Sequence, residues 1–198
     1  MSLRDFVFRI LFAMPLCFGI WYFSAAVWIW FIAELTHGVL RLLFSRLIAS
    51  VGSIGHTLDI VTNLGDIEQY TQHHKMMALV FSINPLQYGY SLAVYSALLL
   101  ASKNYHWRAW LVGLAVLMGA IVLGVCFDVL KTIAFDLAPT GTTYPTGFSD
   151  WQLNMLGVAY QLGYLVLPTV LPLILWANFN QLFFRSYLAG SVADIQQD

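Results

Sequence analysis

Residues 76–102 read MMALVFSINPLQYGYSLAVYSALLLAS, 27 residues without a charge. By length this is a membrane helix, but Asn84-Pro85 stands inside it. Proline suits the first turn of a helix, the residue before it avoids helical dihedrals, and asparagine is a good N-cap. The helix is therefore expected over 85–102, about 27 Å at roughly 1.5 Å per residue, barely enough to cross a bilayer. What precedes it, MMALVFSI, is then extended. Upstream, TLDIVTNL (57–64) alternates apolar and polar residues. The two runs, joined by the polar GDIEQYTQHHK (65–75), suggest a small β-hairpin. An isolated hairpin is marginal in water, so it must pack on another element or lie on the membrane surface.

Composition agrees with a lipid-embedded chain. Of 198 residues, 60% are hydrophobic and 10% charged, and mean hydropathy is +0.73. An average soluble domain carries about 25% charged residues. The net charge of −1 gives no basic surface for nucleic acid. Cys17 and Cys126 both sit in apolar runs and read as free, buried thiols. The apolar run at the start continues from Ile10 to Ala33, 24 uncharged residues. A cleavable signal core is only about 7–15 residues long, so a retained span is expected.

Two further spans follow. Ala109–Phe127 is uncharged, and nothing charged occurs between Trp151 and Arg185. Ser149 and Gln152 have capping-box spacing, and Pro168 and Pro172 are expected to kink the last helix. Between the first span and the hairpin, Arg41 and Arg46 interrupt a leucine-rich run. It reads as an interfacial amphipathic helix or as a continuation of the first helix beyond the membrane. The expectation is an all-α integral membrane protein whose four transmembrane helices lie at about 8–34, 85–102, 109–130 and 150–184. The interfacial helix and the hairpin lie in an outer-face segment, 36–83. The short basic connector with Lys103 and Arg108 orients both termini to the cytoplasm, and the outer face is periplasmic if the cell is a diderm bacterium.

Ionisable residues near a span are functional candidates. In GVCFDVLKTIAFD (124–136), Asp128 and Lys131 are three apart and can pair on one helix face. Cys126 is a nucleophile only with a neighbouring histidine, arginine or helix N-terminus to activate it. Locally it has aspartates and a helix C-terminus instead. Asn84, Gln87, Tyr88 and Tyr90 place amides and phenols at the outer interface, for anchoring and capping or for binding an extended peptide. Asn154 and Gln161, seven apart with Tyr160 and Tyr164 nearby, read as interhelical glue or as a substrate path. His73 and His74, near Asp66 and Glu68, lack the ligand spacing of a metal site. No cofactor motif is present.

These stretches resemble the exosortase H-associated membrane proteins, small multi-span proteins encoded beside a bacterial exosortase. The likeness runs through AMPLCFGIWY (13–22), FSINPLQYGYSLAVYSALLLAS (81–102), GVCFDVLKTIAF and WQLNMLGVAYQLGYLVLPTVLPLILW (151–176). It implies a role in exosortase-linked processing of proteins whose C-terminal tails enter the membrane, and it carries over no catalytic residues. Exosortases themselves resemble cysteine transpeptidases with arginines near the thiol, and this chain has no arginine between 109 and 184. The implied role is a non-enzymatic accessory subunit, in contact with the lipid bilayer and with an exosortase-type enzyme or its tailed substrate. The binding candidates are Asn84, Tyr88, Tyr90, Asp128, Lys131, Asn154, Gln161 and Tyr164. The rival reading is a membrane thiol transpeptidase using Cys126; a solute channel is the weakest.

Overall fold

The computed structural model describes residues 3–65, 78–102, 107–137 and 148–180. Its first two helices, α1 (Leu3–Phe23) and α2 (Ala25–Phe44), are separated only by Ser24. The helix expected over 8–34 is interrupted at Ser24. In a continuous helix the Ala25 N–H would serve the Trp21 carbonyl. Instead the Ser24 hydroxyl and the Trp28 indole N–H both donate to it, each at 3.2 Å. Side-chain donors that enter the ladder in this way break or bend helices. The Trp21 and Trp28 rings stack across the break at 6.1 Å.

Helix α2 is one-sided. Ala25, Ile29, Ile32, Ala33, Thr36 and Leu40 are buried at three- and four-residue steps, while Val27, Trp30, Leu42 and Leu43 are exposed. That is the stripe of an amphipathic helix lying on a support. The amphipathic helix expected further on therefore begins ten residues earlier and absorbs the end of the presumed first span.

Its N-terminal half rests on the helical bundle, with the Trp28 ring against Gly89, and the support beyond is a sheet. The expected hairpin is present as β2 (Thr57–Gly65) and β3 (Ala78–Ile83), antiparallel with Leu58 opposite Ile83 and Ile60 opposite Phe81. A third strand, β1 (Ile48–Ile54), adds to the other side of β2, giving the order β1-β2-β3. Residues 48–54, expected to continue the helix before them, form this strand. They turn instead because Gly55-His56 forms a two-residue hairpin loop, with Ile54 opposite Thr57 and Gly55 at φ +61°. A glycine with positive φ at the first loop position matches the strand twist. The helix end is tied to the sheet by the Asn63 backbone N–H, which donates to the Leu47 carbonyl at 2.9 Å. Ile48, Val51, Leu58 and Ile60 are buried and join the same core as the α2 stripe. The His56 ring stacks on Tyr22 at 5.5 Å, which brings the hairpin tip to the end of α1.

The rest is a helical bundle. Helix α3 (Leu86–Ala101) starts where the Asn-Pro pair predicts, with the Leu86 N–H donating to Asn84 Oδ1 at 3.0 Å. Helix α4 (Trp107–Lys131) ends in a π-helical turn, Thr132–Leu137. Helix α5 (Asp150–Gln161) opens on the expected capping box, the Ser149 N–H donating to Gln152 Oε1 at 2.9 Å. A second π turn, Leu162–Val166, leads into α6 (Leu167–Phe179). Pro168 has no N–H for the Tyr164 carbonyl, and the wider turn absorbs the irregularity. Helix α1 packs along α3, and α3 along α4 and α6. At one end Phe6 stacks on Trp176, whose indole N–H donates to Ser102 Oγ at 2.7 Å.

Four helical stretches are long and apolar enough to cross a membrane: Arg4–Phe23, Ala25–Phe44, Trp107–Asp136 and Asp150–Phe179. Helix α3 is apolar but shorter, at 16 residues. The protein is an all-α membrane protein carrying one small sheet.

Replacing Gly55 by valine forces a β-branched residue into the left-handed region at a cost of about 1–3 kcal/mol. Thermal unfolding of Gly55→Val in detergent is expected several degrees below the parent. Gly52→Val, in open space with ordinary dihedrals, is expected to match it.

Candidate functional site

Asp128 lies three residues before the end of α4 and is 8% exposed. Its Oδ2 accepts the Tyr88 hydroxyl at 3.0 Å and the Gln87 amide at 3.3 Å, both from the first turn of α3. The start fixed by Asn84 and Pro85 therefore decides which α3 side chains reach α4. The Tyr88 ring meets Tyr164 edge-on at 5.9 Å, and Tyr164 stacks on Tyr160 at 5.8 Å. Helices α3 and α4 thus meet at the carboxylate, and the tyrosines of α5 and its π turn pack behind the Tyr88 ring.

Two glycines allow the convergence. A Cβ on Gly124 would stand 2.9 Å from a Tyr88 ring carbon, and one on Gly163 would stand 3.2 Å from the Gly124 Cα. The α4 backbone and the π turn after α5 meet here with the Tyr88 ring beside them. Both glycines fall within quoted stretches, GVCFDVLKTIAF and QLGY, but one-dimensional spacing holds no sign that they touch.

The expected Asp128–Lys131 pair does not form. Lys131 Nζ bonds Asp136 Oδ2 at 2.7 Å and lies 5.8 Å from the Tyr160 ring centroid. Lys131 and Asp136 are five apart, and the π turn between them has the i→i+5 period that aligns such residues. An α-helical count could not anticipate that partner. Among the described residues the hydrogen-bond donors to Asp128 are the neutral groups of Gln87 and Tyr88.

The remaining candidates separate. Tyr90 is half-buried further along α3. Asn154 and Gln161 are both exposed and hydrogen-bond nothing among the described residues, so they do not hold this chain's own helices together. Asn84 caps α3. His73, His74, Asp66 and Glu68 lie outside the described residues. Among those described, no group of histidine, cysteine or acidic residues could hold a metal. Cys17 and Cys126 are free and buried.

Cys126 is 5% exposed and packs in the main core with Val122, Val125 and Val129. Two residues from Asp128 on a helix, it points away from that carboxylate. No described hydrogen bond or ion pair involves it. A thiolate nucleophile needs such a neighbour. The arrangement accepts hydrogen bonds at one carboxylate; among the described residues it holds no nucleophile–base pair.

A family model described as exosortase H-associated membrane protein matches residues 1–183. The chain belongs to this family. Neither a curated protein nor a solved structure matches it. As an exosortase H-associated membrane protein the chain is associated with an exosortase system, and the two stretches that meet at Asp128 are among those that carried the resemblance.

Alanine in place of glycine ordinarily stabilises a helix interior by about 1 kcal/mol. Gly119→Ala, with open space around it, is expected to raise the unfolding temperature. Gly124→Ala is expected to lower it, because the Tyr88 ring must move. Tyr88→Phe removes one hydrogen bond from a carboxylate, worth about 1–3 kcal/mol, and is expected to lower it as well. Melting of the three variants in one detergent checks all three signs.

Proposed function

We propose that the chain is a non-enzymatic accessory subunit that meets the exosortase, or the tailed protein it processes, at the outer membrane face. The observation that carries this reading is the pairing of a buried, fully positioned carboxylate with a buried cysteine that has no activating neighbour. The site is built for recognition, and bond cleavage is left to another polypeptide. The sheet beside it adds a second means of contact. Among the described residues β1 and β3 each pair on one side, and an extended peptide can add to such an edge through main-chain hydrogen bonds.

In this reading the crossings are α1, α3, α4 and the continuous α5–α6 unit. Helix α2 is apolar enough to span, but it packs along a sheet with open edges. Unpaired strand edges are not tolerated in hydrocarbon, so α2 and the sheet together lie at the outer interface. Four crossings bring both ends of the chain to one side, and the basic connector at Lys103 and Arg108 favours the cytoplasm. The membrane is then a bacterial inner membrane.

Co-purification with the cognate exosortase tests the proposal. The parent and Cys126→Ala are both expected to retain the enzyme and to support processing of tailed substrates. Deletion of 57–83 is expected to lose it while the remaining bundle still inserts. Processing abolished by Cys126→Ala, or an enzyme still retained by the deleted chain, overturns the reading.

A further inference from the structure

Helices α1 and α4 both pack on α3 and leave a crevice between them. It measures about 410 Å³, within the range of roughly 300–1,000 Å³ usual for a small-molecule site. Its floor is α3 from Leu92 to Leu100, about 12 Å at roughly 1.5 Å per residue. Ile20 stands in one wall, Leu114 and Met118 in the other. Ile20 and Leu100 are exposed, so the crevice opens sideways, toward lipid. Its outer end is roofed. Helix α2 begins there after Ser24, crosses to pack on α4, and sets the Trp28 ring against Gly89 of α3.

The lining's polar groups are bonded to one another. The Trp110 indole N–H donates to Ser96 Oγ at 3.0 Å, and that of Trp28 to the Trp21 carbonyl at 3.2 Å. Trp21 Nε1 is itself enclosed. What the crevice offers a guest is therefore hydrocarbon surface. A transmembrane helix, about 10 Å across with its side chains, would have to run on through the roof that α2 makes. A flexible chain that enters from the open side and ends beneath Trp21 and Trp28 has no such obstacle.

The opposite end carries a charge. Trp110, which lines the crevice there, lies in the first turn of α4. Two residues before it, Arg108 is exposed and has no ion pair among the described residues. Its guanidinium stands 5.7 Å from the centroid of the Trp107 ring, and Trp107 shares a helix face with Trp110 three residues on. The cation is thereby held toward the mouth of the crevice. We propose that the crevice binds one phospholipid from the leaflet on the side of the chain termini, an acyl chain lying along α3 and the phosphate on Arg108. A guanidinium can hold two phosphate oxygens at once. With the phosphate at that end, the chain passes Leu100 first and its methyl end reaches the roof. The inference rests on the crossings α1, α3 and α4 proposed above, and on neither the exosortase contact nor the sheet.

Native mass spectrometry of the full chain tests it, after delipidation in detergent and titration with dioleoylphosphatidylglycerol or with dioleoylglycerol. The second probe has the chains without the phosphate. The parent is expected to bind one phosphatidylglycerol roughly tenfold more tightly than the diacylglycerol. Arg108→Gln is expected to abolish that advantage and still bind the diacylglycerol. Ile20→Trp combined with Leu100→Trp fills the crevice from two exposed positions and is expected to lose both lipids. Leu11→Trp, exposed on α1 outside the crevice, is expected to bind as the parent does. No bound lipid, binding unmoved by the paired tryptophans, or a phosphate advantage that survives Arg108→Gln each overturns the proposal. Equal loss in Leu11→Trp reduces the signal to lipid spread over the whole surface and overturns it too. No exosortase is present in the experiment, so its outcome is separate from that of the co-purification.

Discussion

A backbone carbonyl released within a lipid bilayer has no water to turn to, and that constraint governs how this bundle bends. At the break between α1 and α2, the Trp21 carbonyl receives a hydroxyl and an indole N–H. At the kink before α6, the Thr169 hydroxyl donates to the Leu165 carbonyl at 2.6 Å. At the start of α4, the Tyr95 hydroxyl donates to the Ala109 carbonyl at 2.7 Å. At the α1–α2 break serine and tryptophan donors therefore stand where the ladder is interrupted, as expected where irregular backbone must be re-satisfied by protein. The Thr169 and Tyr95 hydroxyls add second donors to carbonyls beside the kink and in a first turn, where N–H groups are the unpaired ones. The bends in turn aim the site. The π turn after Gln161 brings Gly163 against Gly124, and the one after Lys131 brings Asp136 to the lysine.

How far these features could be read from residues depended on whether the signal was local. The Asn84-Pro85 helix start and the Ser149/Gln152 box are satisfied within three residues, and both are found where spacing placed them. The β2–β3 pairing was legible because alternation and turn composition bracket it. Strand β1 was obscured by the leucine-rich run ahead of it, and the turn that creates it rests on a positive φ at Gly55 that only the structure shows. The Ser24 break was not legible, because an apolar run from Ile10 to Ala33 looks continuous and only the Trp28 indole, seven residues from Trp21, shows how the break is stabilised.

The candidate site divides along the same line. Asp128 stood out as a charge at a span end, and its partners Gln87 and Tyr88 lay within a motif already marked as polar. Their meeting across some forty residues is a property of helix packing. The Lys131 assignment failed for a geometric reason: three-residue spacing is a rule for α-helices, and the chain changes period immediately after that lysine. Asn154 and Gln161 were seen as one face, but which way that face points is decided by the rest of the bundle.

Charge distribution then separates binding from chemistry. Lys131 and Asp136 neutralise one another at the exposed rim, with side chains 30% and 50% accessible. Placing that pair at the rim costs little, since both groups keep contact with water. Asp128, further in, is held by neutral donors that fix its position without cancelling its charge. Asp128 and Cys126, two residues apart on one helix, face different ways. The carboxylate therefore braces the contact between α3 and α4 through Gln87 and Tyr88, while the thiol fills the core between Val122, Val125 and Val129.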